Sequence, residues 1–471
     1  MKFEKKKDGD DIMENLTPLK AAIDIWKMKR GKPEDILSRQ QSRLADLIRF
    51  ARLNSKYYAK KYSELPENIT SLQQIPPVTK SELMARFNDW VTDPEITFES
   101  VKEFVSDMSL VGHLYLDRYM VSTTSGSTGV PGIFIQDKHS DMVMRTLIAI
   151  RGTTKLKWSD LLKVALKGGR NATLCATAGH FTAFSTAERL RLKRPSNGKI
   201  RAFSVQTPLP TLVKELNEYQ PALIGGYATA MEILAEEQKA GRLNIHPVAI
   251  LLGGEKLYPN VRAKLESVFQ VRVLDLYGCT EATAMTYECE ENHFHVNTDW
   301  IIFEPVDEHY QPVPLGEQSH SVLITNLTNR IQPIIRYELT DRVIMSPEPC
   351  KCGSPFPVIQ VEGRTNDILK FSAPNGQTVH ILPLALKTIV EETTGVRRFQ
   401  LIQTASDQLT VRLEVAEGYQ KEQVWENVRK HILDYFASQG LTTISIEKSD
   451  ELPMRHPKSG KFKHVSIDYH E

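Results

Sequence analysis

The chain has 471 residues, more than one hydrophobic core usually serves, so two or three domains are expected rather than a small binding module. Hydrophobic residues make up 41% and charged residues 25%, with 25 glycines and 25 prolines, which excludes wholesale disorder and low complexity. Fifty-nine basic residues stand against 58 acidic ones, a net charge of +1 that supplies no global field for nucleic acid or an anionic membrane, and neither is expected as a partner. No run of about 20 apolar residues occurs, and the charged start MKFEKKKDGDD enters no signal-like apolar stretch, so a soluble cytoplasmic protein is expected. Five cysteines are too few and odd in number for a disulfide scaffold, which leaves reduced thiols or a metal site.

Residues 1–33 read as a charged N-terminal segment. From 34 to 62, Ile36, Leu37, Leu44, Leu47, Ile48 and Ala51 recur at helical spacing and predict one amphipathic helix. Two apolar, strand-like stretches, Tyr119-Met120-Val121 and Ile133-Phe134-Ile135, flank a loop of hydroxyls and glycines. Between 208 and 281 helices (Leu212–Tyr219, Thr229 to about Gly241, Pro259–Phe269) alternate with apolar strands (Val248–Leu252, Val271–Leu276), the pattern of an α/β sheet. Gly253-Gly254-Glu255 and Tyr277-Gly278-Cys279-Thr280-Glu281 leave those strands at their carboxyl ends, where open α/β sheets bind ligands. Beyond 365 the order becomes strands at about 398–403 and 409–415, a helix from about Lys421 to Ala437 and a strand at 442–448, a separate small α+β domain. The division is therefore 1–33, a large domain 34–364, and a small domain 365–471, joined at the polar Gly363-Arg364-Thr365-Asn366-Asp367.

The strongest local signal is Ser122-Thr123-Thr124-Ser125-Gly126-Ser127-Thr128-Gly129-Val130-Pro131-Gly132. Glycines let backbone N–H groups approach an oxyanion and hydroxyls add short donors, so the loop can cradle phosphates. A flexible Ser/Gly linker is the alternative. No lysine lies in it, which disfavours a P-loop kinase or GTPase.

Read with four later segments, the loop resembles the phosphate-binding signature of the adenylate-forming superfamily, which includes the acyl-CoA synthetases. Tyr277-Gly278-Cys279-Thr280-Glu281 resembles its Tyr-Gly-x-Thr-Glu, Tyr337-Glu338-Leu339-Thr340-Asp341 its Tyr-x-x-Gly-Asp, and Gly363-Arg364-Thr365-Asn366-Asp367 its Gly-Arg-x-Asp-Asp. Pro457-Lys458-Ser459-Gly460-Lys461 is similar to the C-terminal segment that holds the catalytic lysine. Asn54-Ser55-Lys56-Tyr57-Tyr58, Pro76-Pro77-Val78-Thr79-Lys80 and Cys350-Lys351-Cys352-Gly353 bring the chain nearest the phenylacetate-CoA ligase branch, from about residue 35 onward. The resemblance implies a large domain with α/β sheets and a small mobile C-terminal α+β domain. It also implies ATP-dependent activation of an aryl or small carboxylic acid to an acyl-adenylate, then transfer to the thiol of CoA.

In that chemistry a carboxylate attacks the α-phosphorus and expels pyrophosphate, so catalysis is positioning and positive charge. The resemblance assigns Glu281 to Mg²⁺, Thr280 to the α-phosphate, and Thr124, Ser125, Gly126, Ser127, Thr128 and Gly129 to the phosphates of ATP. Tyr277 and Gly278 take the adenine face, Gly254 and Glu255 its edge, Asp341 and Arg364 the ribose, while Lys461 serves as catalytic cation and Asn366 as hinge. Departures are Pro131-Gly132 where relatives have Pro-Lys, Asn366 for Asp or Lys, and Thr340 for glycine. Gly179, His180, Phe181, Tyr227 and Cys279 are the expected acid pocket, with a buried loop and a satisfied histidine as the alternative for 179–181. Cys279 is taken as wall rather than nucleophile, no base being evident beside it; Cys175 reads as core.

Cys289, His293, His295, Cys350 and Cys352 form a second constellation, whose thiolate and imidazole donors suit a structural tetrahedral Zn²⁺. The four ligands expected are Cys289, His295, Cys350 and Cys352, against the alternative of reduced thiols packed as small hydrophobes. Two other functions stay open: transfer of the acyl group to a carrier-protein thiol or an amine, and a zinc-stabilised nucleotide-binding protein without catalysis. The acid, the acceptor and association into a homodimer are not set by the sequence.

Overall fold

The computed structural model describes residues 16–67, 69, 71–124, 132–193, 199–364, 369–374, 376, 378–381, 383–455 and 462–469. The backbone divides into two compact units, 1–362 and 363–471. The first is an α/β unit and the second a smaller α+β one, the fold class expected from the sequence.

Five parallel strands centre the first unit, in the order Ile200–Ser204, Asn171–Cys175, Leu223–Gly226, Ala249–Gly253 and Arg272–Leu276. Helices Leu209–Tyr219, Ala228–Lys239 and Pro259–Phe269 connect successive strands, and their inward leucines, alanines and valines close a core with Leu174, Ile224, Ile250 and Val273. Strands covered on both faces need apolar residues, which is why Val248–Leu252, Val271–Leu276 and the strand-like Leu223-Ile224 were legible in the sequence, whereas Asn171–Cys175 and Ile200–Ser204, interrupted by polar residues, were not read from it. The middle strand also needs its glycines. A Cβ on Gly225 would lie 2.5 Å from the Leu251 carbonyl, and one on Gly226 2.2 Å from that of Leu174.

Antiparallel sheets complete this unit. One has Ser321–Asn326 between Ile301–Val306 and Ile334–Leu339; the other runs Asp341–Met345, Val358–Arg364, Phe294–Val296, Thr286–Glu288. The two strand-like stretches that flank the hydroxyl loop are strands, Met120–Thr123 and Ile133–Gln136, and they pair antiparallel.

At the N-terminus the structure differs from expectation twice. The lead-in contains a helix, Pro18–Met28, capped by Thr17, with Ala21 and Ile25 fully buried. The helix expected over 34–62 is two, Pro33–Asn54 and Lys56–Lys61. Ser55 breaks it: extended, it accepts from the Tyr58 N–H and donates to the Trp90 carbonyl at 2.9 Å, trading one helical turn for a cap and a buried tertiary bond.

In the second unit the paired strands Val396–Ala405 and Gln408–Val415 are flanked in parallel by Val465–Ile467 and Ser445–Lys448, and helix Lys421–Ser438 covers them with Val424, Val428, Ile432 and Phe436. Three short strands, Leu369–Ser372, Thr378–Ile381 and Val465–Ile467, and helix Pro383–Glu391 were not read from sequence, being too short for periodicity to register.

Candidate active site

The turn after strand Arg272–Leu276 is rigidly built. Cys279 and Ala282 exchange backbone hydrogen bonds of 3.2 and 3.1 Å, and a Cβ on Gly278 would meet the Thr283 carbonyl at 2.4 Å. This geometry turns Tyr277 and Glu281 toward residues 64 and 56 positions further on, Asp341 at the start of strand Asp341–Met345 and Tyr337 on strand Ile334–Leu339. The Tyr277 hydroxyl donates to Asp341 Oδ2 at 2.8 Å, and the Tyr337 hydroxyl donates to Glu281 Oε1 at 2.7 Å. Both carboxylates are nearly buried, at 8 and 5% exposed, so each needs such a donor.

The Glu281 backbone is held as well, its carbonyl accepting from Asn326 Nδ2 at 2.9 Å. Asn326 Oδ1 accepts from Thr328, whose hydroxyl lies 2.8 Å from that of Ser140. In the same stretch, Asn329 Nδ2 donates to the Ile135 carbonyl and Gln332 Oε1 accepts from the Ile135 N–H, gripping the strand that leaves the hydroxyl loop. The strand out of the loop and the Glu281 segment are thus fastened to one buried polar stretch, 326–332. Sequence reading assigned it nothing; its signal was the close set Asn326, Thr328 and Asn329 at the end of an apolar strand.

Only the base of the hydroxyl loop is described. The Thr124 N–H donates to the Gly132 carbonyl at 2.9 Å, and the Gly132 N–H to Thr124 Oγ1 at 2.8 Å. Ser125, Gly126, Ser127, Thr128 and Gly129 lie outside the described residues, as do Asn366 and Lys461; Arg364 is described in backbone alone, as the last residue of Val358–Arg364.

Beside the loop base, Thr123 forms a parallel bridge with Phe181 and donates its N–H to the His180 carbonyl at 2.8 Å. Thr182 Oγ1 donates to Thr280 Oγ1 at 3.3 Å. The structure therefore brings together the loop base, the 180–182 segment and the Tyr277–Glu281 turn. The His180 ring goes elsewhere: Nε2 donates to the Asp107 carbonyl at 3.0 Å and the ring packs against Phe104, with burial lowering its pKa and keeping it neutral. That is the satisfied buried histidine of the alternative reading. Gly179 stays close to the Phe181 ring, 3.2 Å from where a Cβ would be.

Glu255 has a local duty, accepting from the Thr229 N–H and hydroxyl at 3.1 and 2.8 Å at the start of the helix that follows Tyr227. Gly254 is left-handed at φ +78°. Burial, with the carboxylate of Glu281 second, pushes the Cys279 thiol well up, so it stays protonated.

The metal-type donors also converge. One atom each of Cys289, His295, Cys350 and Cys352 lies within 4.8 Å of all the others. His295 Nδ1 donates to the Phe356 carbonyl at 2.7 Å, which fixes the tautomer and turns the Nε2 lone pair toward Cys352 Sγ, 3.3 Å away. Tyr287 stacks on the same ring. His293 Nδ1 lies 3.4 Å from Cys350 Sγ, at the exposed edge. Three thiols and an imidazole in a closed set fit a structural Zn²⁺.

A family model described as AMP-binding enzyme matches residues 56–305. The chain is similar to Protein CapK of Staphylococcus aureus, 20% identical over 434 residues that cover 89% of this chain and 87% of that one. A second relative, the phenylacetate-coenzyme A ligase of Thermus thermophilus, is 24% identical over 221 residues, 44% of this chain and 48% of the relative. Among solved structures, 2-hydroxyisobutyryl-CoA ligase in the postadenylation state with 2-HIB-AMP shares the fold, with a TM-score of 0.65 at 19% identity over 94% of this chain and 91% of that one.

Proposed function

The chain belongs to the AMP-binding enzyme family, and from that premise we propose that it joins a small carboxylic acid to the thiol of CoA by way of an acyl-adenylate. One observation carries the reading. The crossed hydrogen bonds Tyr277–Asp341 and Tyr337–Glu281 hold two buried carboxylates at the carboxyl end of the parallel sheet, next to the base of a hydroxyl-rich loop.

Each residue then has a task. The 124–129 loop supplies N–H and hydroxyl donors to the phosphates of ATP, and Thr280 adds one to the α-phosphate. Glu281, oriented by Tyr337, is the ligand for Mg²⁺, which when bound neutralises the phosphates. Asp341, oriented by Tyr277, accepts from the ribose hydroxyls, for which the family pattern also assigns Arg364, while the Tyr277 ring covers the adenine and Gly254 leaves its edge open. The acid's carboxylate oxygen attacks the α-phosphorus, the bond to the β-phosphate oxygen breaks and pyrophosphate leaves. The CoA thiol then attacks the acyl carbon, loses its proton and releases AMP. Lys461 is the cation for the first step. Phe181, Gly179, Tyr227 and the uncharged Cys279 wall a pocket for a flat or short acid. The zinc set is structural, tying the 289–295 hairpin to the 350–352 loop.

The named activities of two relatives, ligases of phenylacetate and 2-hydroxyisobutyrate with CoA, support a small acid and this acceptor. The test is exchange of labelled pyrophosphate into ATP across a panel of aryl and short alkyl acids, followed by CoA, a carrier protein or an amine as acceptor. Acid-dependent exchange with thioester formed only from CoA is expected. No exchange with any acid would overturn the reading; exchange with another acceptor preferred would replace CoA alone.

A further inference from the structure

The helix Trp158–Leu166 has its apolar side turned outward. None of its residues is buried, and Trp158, Leu161, Leu162 and Leu166 are 87, 43, 62 and 78% exposed. At about 100° per residue these side chains and Ala165 share one arc of roughly 140°. The half-buried residues, Asp160 and Val164, lie on the other side. A surface helix normally shows the reverse. Helix Pro18–Met28 repeats the feature: Ala21, Ile25 and Met28 pack inward while Leu19, Ile23 and Trp26 stand 70, 44 and 67% exposed. Its Ile25 carbonyl accepts from Arg151, in the turn that leads into Trp158–Leu166.

Charge gathers on the same two segments. Residues 154–170 hold five basic groups and one acid, four of the five being left once Lys155 is set aside as buried on Glu288, and residues 16–32 again five and one, in a chain whose net charge is only +1. Lys157, Lys163 and Lys167 are exposed along or beside the outward helix.

Its place in the fold narrows what can cover it. The Lys155 carbonyl, just before the helix, accepts from Arg272, the first residue of the last parallel strand; Lys167, just after it, donates to the His246 carbonyl ahead of strand Ala249–Gly253. The helix thus sits at the amino ends of the strands, opposite the edge from which Tyr277–Glu281 emerges. A carrier protein delivering a thiol to that turn has no use for this face.

We propose that Trp158–Leu166, assisted by the outer face of Pro18–Met28, is an interfacial anchor that docks the protein on an anionic lipid bilayer. The leucines enter the boundary between headgroups and acyl chains, the tryptophans sit at headgroup depth, and Lys157 and Lys163 extend to lipid phosphates. The apolar arc carries no polar group except an indole N–H and has the exposed Lys157 and Lys163 beside it, and apolar area with a basic rim is what an anionic bilayer takes up. The helix lies on the membrane: among the described residues none is long and apolar enough to cross one. Whole-chain charge argued against a membrane partner only because it averages over a local field.

The test is flotation of the full chain with vesicles of phosphatidylcholine containing about one-third phosphatidylglycerol. Binding is expected, weaker on phosphatidylcholine alone and weaker as salt rises from about 0.1 to about 0.5 M. Leu162→Glu should lower vesicle affinity about tenfold or more, with the melting temperature unchanged because the side chain is exposed. Three results would overturn the proposal: no binding to anionic vesicles, equal binding by the variant, or a lipid-free dimer that Leu162→Glu converts to monomer, which would make the face a contact between copies. An acidic protein captured through this face without any vesicle binding would reject it too.

Discussion

Tyr337 does more than complete a sequence motif: its hydroxyl is the donor that holds Glu281 Oε1 in a nearly waterless position. A buried hydrogen bond to a carboxylate contributes about 1.5–3 kcal/mol. Tyr337→Phe should therefore leave the fold intact, slow acid-dependent pyrophosphate exchange by roughly ten- to a hundredfold, and raise the Mg²⁺ concentration needed for half-maximal rate; an unchanged Mg²⁺ dependence would remove Glu281 from the metal. Asp275 makes a separate prediction. Burial first, and the Glu288 carboxylate second, raise its pKa from 3.8 to about 7, against the smaller opposing pull of Arg262 and Lys155. The folded protein keeps a proton there that the unfolded chain releases, so this contribution to stability is full below about pH 4 and fades as pH rises to about 7. Asp275→Asn carries no such proton. Its stability should gain on the wild type by more at pH 7.5 than at pH 4.5, by on the order of a few kcal/mol at most, read as a larger difference in melting temperature at the higher pH. A constant difference would show that Asp275 ionises normally.

At the level of elements, the metal-type cluster joins the end of one hairpin, Thr286–Glu288 and Phe294–Val296, to the loop ahead of Val358–Arg364, which pairs with that hairpin through Val358 and His295. Cys289 follows Glu288, and Glu288 accepts from Lys155 at 3.0 Å and from Arg262, so the cluster adjoins a buried ion network at the start of the last parallel strand. Metal bound there would brace a corner of the large unit rather than touch substrate. Elemental analysis of protein purified without added zinc should find about one ion per chain, and removal by chelator should lower the melting temperature by roughly 5 °C or more while adenylation falls only in proportion to unfolded protein. Metal-free protein of equal stability would favour thiols packed as small hydrophobes. The helix break at Ser55 is an element-scale fact that periodicity misses, because the apolar spacing continues through it while a serine hydroxyl finds buried partners on residue 90.

For the whole molecule, Lys461 and Asn366 are outside the described residues, and their roles rest on the proposal that one cation serves adenylation and one linker residue lets the small unit turn before thioester formation. The two variants separate these roles. Lys461→Ala should abolish most pyrophosphate exchange while ATP still binds, because its contribution is to charge developing in the transition state. Asn366→Pro should slow thioester formation far more than exchange, since proline fixes φ and removes an N–H at the turning point. Equal loss in both half-reactions would reject the rotation. By itself the sequence determined the alternation of helices and apolar strands from 208 to 281, the strand-like stretches on either side of the hydroxyl loop, and the residue types able to bind phosphate or zinc, because periodicity, turn residues and donor chemistry are local properties. Tertiary structure alone decided that Tyr277 meets Asp341 and Tyr337 meets Glu281 across 64 and 56 residues, that the His180 ring turns to Asp107, and that Asn326 to Gln332 fasten two site segments together. It also decided which side of Trp158–Leu166 faces water: spacing reveals that a helix has two faces, and only the packing around it selects the one that is covered.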